Sequence, residues 1–174
     1  MQQRVDARRN RDALLAAAEQ VFAEQGVSAP LELVHARAGL GRATLYRNFP
    51  DRQSLLLALV DRSMARIEQE AGDFWSFLTT ASAFVAESEV IQAIWDQAEK
   101  DSEARDVRRH RLAKIAGVHL QNAKDAGTIR EDIEVADILL ILRMIGGAAR
   151  TLQPALRKAT AERALELLSL GNQM

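Results

Sequence analysis

Residues 39–50 read Gly39-Leu40-Gly41-Arg42-Ala43-Thr44-Leu45-Tyr46-Arg47-Asn48-Phe49-Pro50. Gly39 can adopt the left-handed backbone conformation that ends one helix and starts a tight turn. Leu45 and Phe49 lie four positions apart, so on a helix both point to the same side, into a small core. Pro50 and Asp51 then end this helix and begin the next one. The stretch predicts the turn and second helix of a helix-turn-helix.

The other side chains of this second helix face away from that core. They bring guanidinium groups, a hydroxyl, a methyl group and a phenol to one surface, at Arg42, Ala43, Thr44, Tyr46 and Arg47, with Asn48 at its end. Such groups can hydrogen-bond base edges, touch a thymine methyl and hold phosphates. The pattern predicts a surface that reads the major groove of double-stranded DNA. The alternative is an ordinary helical hairpin with a polar outer face.

Residues 38–49 resemble the signature of the TetR family of transcriptional repressors. That signature runs Ala-Gly-Val-Ser, a small or basic pair, Thr-Leu-Tyr, an aromatic or basic pair, and Phe. Gly41 stands where the family usually has the Ser that caps the recognition helix; glycine caps only slightly less well but offers no hydroxyl to a phosphate. The resemblance also implies phosphate contacts for Arg52, in the first turn of the next helix, and for Ser28, just before Pro30.

Composition narrows the class of protein. The 174 residues are 48% hydrophobic, as in a globular protein, and include no Cys, which excludes disulfides, thiolate nucleophiles and Cys-based zinc sites. The net charge is −1, yet residues 1–60 hold eight Arg against six acidic residues. Half of those arginines form an N-terminal cluster at Arg4, Arg8, Arg9 and Arg11. This cluster could neutralise phosphates as a flexible arm or as a first helical turn.

Helical periodicity between few Pro and Gly residues predicts an all-α protein. We expect an N-terminal three-helix DNA-binding head over residues 1–50, whose first helix spans about 6–25. A helical effector-binding and dimerisation domain follows over 51–174, with 51–70 as the connecting helix. Further helices are predicted near 73–87, 89–99, 134–152 and 160–170, with an amphipathic stretch up to residue 126 and a helix N-cap near Asp132.

Two copies of the chain are expected, because one small head makes few DNA contacts. Dimeric helix-turn-helix proteins read half-sites about 34–36 Å apart, which implies a palindromic operator. Surplus apolar surface near 134–152 and 160–170 predicts a four-helix-bundle homodimer, which agrees with where the resembling family dimerises. The alternative is that helix 134–152 is the central core helix of a monomer.

The resemblance implies a ligand switch, in which a small-molecule effector enters the larger domain and releases the operator. Candidate lining residues combine apolar bulk with a few polar groups: Phe74, Trp75, Phe77, Leu78, Phe84, Trp95, His119 and Met144. For each of these residues, a plain core role is the alternative. No cofactor and no metal is expected.

Two other classes of protein fit the sequence less well. An enzyme is disfavoured because the chain has no Cys nucleophile, no glycine-rich phosphate loop and no HExxH motif. His110 and His119 are nine positions apart, which places them on opposite sides of a helix, so they cannot chelate one metal ion from that helix. A helical binding module that has lost DNA function is the second alternative, and steep salt dependence would separate a true DNA binder from it.

The chain has no apolar run long enough to span a bilayer, and its N-terminus is polar and Arg-rich. A cytoplasmic protein without a membrane partner is therefore expected.

Overall fold

The computed structural model describes residues 2–70, 72–88 and 102–170, and within these ranges it is entirely helical. The described residues form eight α-helices: α1 Gln2–Gln25, α2 Leu31–Arg37, α3 Arg42–Asn48, α4 Arg52–Glu70, α5 Phe74–Glu87, α6 Ser102–Asp125, α7 Val135–Arg150 and α8 Pro154–Leu170. The all-α prediction is confirmed. The helix predicted at 89–99 lies outside the described residues.

Several helix ends differ from those predicted. Helix α1 begins at Gln2, so the N-terminal arginines belong to a helix and not to an arm. Helix α8 begins at Pro154 and not near 160, because proline is tolerated in a first turn, where its missing N–H has no partner to lose. The N-cap of α7 is Glu134 and not Asp132. Its backbone N–H donates to Oδ2 of Asp137 at 2.8 Å.

The first compact unit runs from the N-terminus to Arg62 and holds α1, α2, α3 and the first half of α4. Its core joins the apolar stripe of α1 to side chains from the other three helices. The fully buried members include Leu14, Ala18, Val21, Val34, Leu45, Phe49 and Leu55. Helix α3 has only seven residues, too few for stability alone in water. Its position therefore depends on this core.

Glycine fixes the turn between α2 and α3. Gly39 has a φ of +66°, a conformation that an L side chain adopts only with strain. Its N–H donates to the carbonyl of Ala36 at 3.1 Å, and the next N–H, of Leu40, donates to the carbonyl of His35 at 3.0 Å. These two bonds are the Schellman pattern, and they satisfy carbonyls at the end of α2.

The second compact unit contains the rest of α4 and helices α5 to α8. Helix α5 packs against α6, α7 and α8, and its apolar face supplies much of the core through Phe74, Phe77, Leu78, Ala81 and Val85. Asp73 caps the start of α5 by accepting from the Ser76 backbone N–H at 2.7 Å. That bond lowers the pKa of the Asp73 carboxyl. In the part of the chain that the structure describes, no helix is long and apolar enough to cross a membrane.

Truncation of Leu45 tests the predicted face of α3. Leu45→Ala should lower the free energy of unfolding of the first unit by about 2–5 kcal/mol, because it leaves a cavity beneath a helix that depends on packing. The matched control is Leu33→Ala on α2, where the leucine is 37% exposed and Leu45 is 0% exposed. Urea denaturation followed by circular dichroism measures both variants. A Leu45→Ala protein as stable as wild type would show that α3 is placed in the wrong register.

Candidate nucleic-acid interface

The outer face of α3 carries the side chains that the sequence predicted there. Arg42, Ala43 and Arg47 are exposed, and Tyr46 is 37% exposed, while Leu45 between them is buried. The spacing of Leu45 and Phe49 therefore presents the charged and aromatic groups on the side opposite the core.

Two contacts order this outer face in the free protein. The guanidinium carbon of Arg42 lies 5.5 Å from the ring centroid of Tyr46, within the range of a cation–π interaction. One guanidinium nitrogen of Arg47 donates to the hydroxyl of Thr44 at 3.0 Å. Such exposed contacts contribute little to stability, but they narrow the conformations from which both arginines would meet DNA.

Asn48 is turned back on its own helix. Its side-chain amide donates to the carbonyl of Thr44 at 2.8 Å, and the residue is half-buried. Helix α3 also begins without a side-chain cap, because Gly41 stands at the N-cap position in an extended conformation. The departure from the family signature at this position thus leaves the helix intact.

Arg11 holds the C-terminal end of α3 from helix α1. Its guanidinium donates to the backbone carbonyl of Asn48 at 3.3 Å, and its Cζ atom lies 4.5 Å from the centroid of the Phe49 ring. A cation is favoured at a helix C-terminus by the helix dipole. Arg11, a member of the N-terminal arginine cluster, therefore contacts the protein itself. Arg8 and Arg9 on the same helix are exposed.

Arg52 lies beneath the loop between α1 and α2. It donates to the backbone carbonyl of Val27 and, at 2.6 Å, to that of Ala29. Its Cζ atom lies 5.8 Å from the centroid of the Phe22 ring. The resemblance to the family signature implied a phosphate contact for this residue, whereas in the structure its half-buried guanidinium donates to the protein backbone. Ser28, between the two bonded carbonyls, is exposed.

A further arginine of the first unit is paired with an acid. Arg37 at the end of α2 donates to both carboxylate oxygens of Glu24 on α1, at 2.5 and 2.7 Å. This hydrogen bonding lowers the pKa of Glu24 and raises that of Arg37. The pair is largely solvated, so its contribution to stability is modest. The positive charge of Arg37 is thus already neutralised by Glu24.

The predicted effector-site residues differ in how deeply they are buried in the second unit. Phe74 and Leu78 are buried in its core, Trp75 and Phe84 are half-buried against that core, and Phe74 meets Trp75 edge to face at 5.5 Å. His119 stacks on Phe77 with the ring centroids 4.8 Å apart. Met144 is 63% exposed and does not belong to this core. Trp95 lies outside the described residues.

Sequence reasoning missed one polar residue in this core. Ser82 is fully buried on α5, and its hydroxyl has no hydrogen-bond partner in the described part of the protein. An unpaired buried hydroxyl costs about 1–3 kcal/mol, so such a group is a candidate to meet a ligand. No sequence signal marks it, because a serine within an apolar helix face is common. Among the described residues, no group of three or more His, Asp or Glu side chains is arranged to hold a metal ion.

Comparison with known families accounts for both units. Residues 14–59 match the model of bacterial regulatory proteins of the tetR family, and residues 70–171 match the C-terminal domain of SbtR-like transcriptional regulators. The chain belongs to the TetR family. It is therefore a DNA-binding transcriptional regulator with a helix-turn-helix. TetR-family regulators are generally not enzymes, and repression and ligand binding are typical of them.

Solved structures of TetR-family proteins share this fold. A TetR transcriptional regulator from Streptomyces coelicolor is 29% identical, with a TM-score of 0.66 over 92% of this chain and 97% of that chain. The TetR regulatory protein of Mycobacterium vanbaalenii is 28% identical, with a TM-score of 0.64 over 87% and 99%. FadR from Thermus thermophilus, a repressor solved with lauroyl-CoA, is 15% identical, with a TM-score of 0.59 over 94% and 95%. Comparison with curated protein sequences gave no match.

Proposed function

We propose that this TetR-family regulator is a homodimeric repressor that binds a palindromic operator and is released by a small-molecule effector. DNA binding by α3 is supported by one observation: the helix has one face buried in the core and an opposite face that is exposed. Leu45 is buried, and Arg42, Tyr46 and Arg47 are exposed on the opposite side. We propose residues 1–50 as the DNA-binding domain and 51–174 as the effector-binding and dimerisation domain, without catalytic activity.

The side chains of α3 suit different parts of a DNA duplex. Arg42 and Arg47 carry the forked donors that pair with guanine, and the methyl group of Ala43 fits against a thymine methyl. The hydroxyls of Thr44 and Tyr46 suit phosphate oxygens or base edges. Asn48 is assigned to the same surface, although its amide must leave the carbonyl of Thr44 to reach DNA. Ser28 is assigned a phosphate contact, and Arg52, which donates to the loop that carries Ser28, is assigned to the DNA-binding residues.

Exposed apolar side chains on α7 and α8 support the homodimer. Leu140 and Met144 are one turn apart on α7 and are 50% and 63% exposed. Helix α8 adds Leu156, Leu167 and Leu168, each exposed by 44% or more. Large exposed apolar side chains on two helices that pack against each other indicate an interaction surface. Two such helices from each copy would complete the four-helix bundle predicted from the sequence.

The effector site is proposed around α5, where polar groups interrupt an apolar core. Ser82 offers a buried hydroxyl that has no partner among the described residues, and His119 offers a ring nitrogen beside Phe77. Trp75 and Phe84 add half-buried aromatic surface next to the buried Phe74 and Leu78, and Trp95 belongs to the proposed set. The exposed position of Met144 favours the dimer surface over a place in this site. The lauroyl-CoA bound by Thermus thermophilus FadR makes acyl compounds reasonable first ligands to test.

Selection of bound sequences from random duplex DNA tests the proposed reading of an operator. Wild type should enrich an inverted repeat, and Arg47→Ala should lose that enrichment while keeping its helical circular dichroism, because Arg47 is exposed. The charge-matched control is Arg109→Ala, at an exposed arginine of α6. No enrichment by wild type at low salt would favour a helical module that has lost DNA function.

A charge placed on the α7 surface tests the homodimer. Met144→Glu should weaken dimerisation by about 3 kcal/mol or more, because an unpaired charge would be buried in each copy. The matched control is Val118→Glu on α6, where the valine is 56% exposed outside the proposed interface. Analytical ultracentrifugation measures both variants. A Met144→Glu dimer as tight as wild type would move the interface elsewhere.

A further inference from the structure

We propose that Arg52 serves DNA binding as a positioning residue: it clamps the loop that carries Ser28 and does not contact phosphate itself. The proposal rests on the proposed reading of DNA by the helix-turn-helix and assigns a distinct role to one of its residues.

The clamp joins the two ends of the helix-turn-helix. The bonded carbonyls, of Val27 and Ala29, lie 25 and 23 positions before Arg52 in the chain. They precede α2, whereas Arg52 stands in the first turn of α4, just after α3. One guanidinium thus connects the segment that enters the motif to the segment that leaves it. The planar fork of arginine suits this task, because its two terminal nitrogens can donate to two acceptors at once.

Both sides of the clamp are well defined. On the loop side, the N–H of Ala29 donates to the carbonyl of Gly26 at 3.1 Å, so the loop forms one tight turn with Ser28 near its tip. On the helix side, Asp51 caps α4 by accepting from the Ser54 backbone N–H at 2.7 Å. The clamp therefore links two ordered pieces of backbone and sets the distance between them.

The contacts of Arg52 direct its guanidinium to the protein and not to DNA. Arg52 is half-buried, its two terminal nitrogens already donate to carbonyls, and its Cζ atom lies over the Phe22 ring. If the guanidinium swung out toward a phosphate, both bonds to the loop would break, and the loop with Ser28 would lose its attachment. Ser28 is exposed at the tip of the turn, so its hydroxyl can meet a phosphate while Arg52 stays in place.

A lysine at position 52 separates charge from clamping. Arg52→Lys keeps the positive charge, but a single ammonium does not reproduce the fork on two carbonyls. We expect it to bind the selected operator about tenfold more weakly, as loss of one charge-assisted hydrogen bond would do. The slope of log K against log salt should not change, because that slope counts phosphate contacts.

Hydrogen exchange in the free protein is a second readout. In the Arg52→Lys protein, the backbone amides of residues 27–29 should exchange faster than in wild type. Arg109→Lys, at an exposed arginine of α6, is the matched control and should leave both readouts unchanged.

A double-mutant cycle with Ser28→Ala separates positioning from a merely structural role. Ser28→Ala should weaken operator binding in wild type but add little in the Arg52→Lys protein, because the displaced loop no longer presents Ser28. All variants are compared at a temperature where circular dichroism shows them folded. Arg52→Gln serves as a second variant, and it should also leave the salt slope unchanged.

Three results would overturn the proposal. One is an Arg52→Lys protein that binds like wild type together with an Arg52→Gln protein whose salt slope falls by about 0.9, the value for one lost phosphate contact. The second is an equal effect of Ser28→Ala in both backgrounds, which would leave Arg52 with a structural role only. The third is a Ser28→Ala protein that binds like wild type. Failure of the proposed function would look different, since wild type itself would then select no sequence, while loop exchange would still report the clamp.

Discussion

The burial of Leu45 and Phe49 is the constraint on which the DNA-reading surface depends. A seven-residue helix is not stable alone, so α3 exists because these two side chains enter the core built on α1. Their packing also fixes the rotation of α3 about its axis. That rotation decides that Arg42, Tyr46 and Arg47 are exposed. The function of the family thus follows from where one leucine and one phenylalanine are buried.

Five arginines of the first unit divide into two groups with different tasks. Arg11 and Arg52 bind backbone carbonyls, and Arg37 is paired with Glu24. These three residues connect α1, α2, α3 and α4, while Arg42 and Arg47 stay exposed on α3. The mild net charge of the chain is therefore compatible with DNA binding, because local placement and not total charge determines which cations a phosphate can meet.

Sequence reasoning found the features that local chemistry determines. The left-handed Gly39, the inward Leu45 and the exposed Tyr46 follow from spacing and residue type alone, and the structure has them in these places. The role of Arg52 was not accessible in this way, because its contacts join residues 23 and 25 positions apart. Met144 shows the same limit, since an apolar residue on a strongly apolar helix gives no indication of whether it faces the core of its own chain or lies at the surface. The burial of Ser82 depends on the helices that pack against α5, so it was equally hidden.

A nuclear magnetic resonance titration of the isotope-labelled protein with its selected operator would show directly whether the outer face of α3 meets DNA. We expect the largest shifts on the outer face of α3, at Arg42, Thr44, Tyr46 and Arg47, with further shifts in the loop at Ser28. The signals of Leu45 and Phe49 should keep the character of a buried core, because the helix is held and not refolded. Shifts that avoid α3 and concentrate on α6, around the exposed Arg109 and His110, would contradict the account.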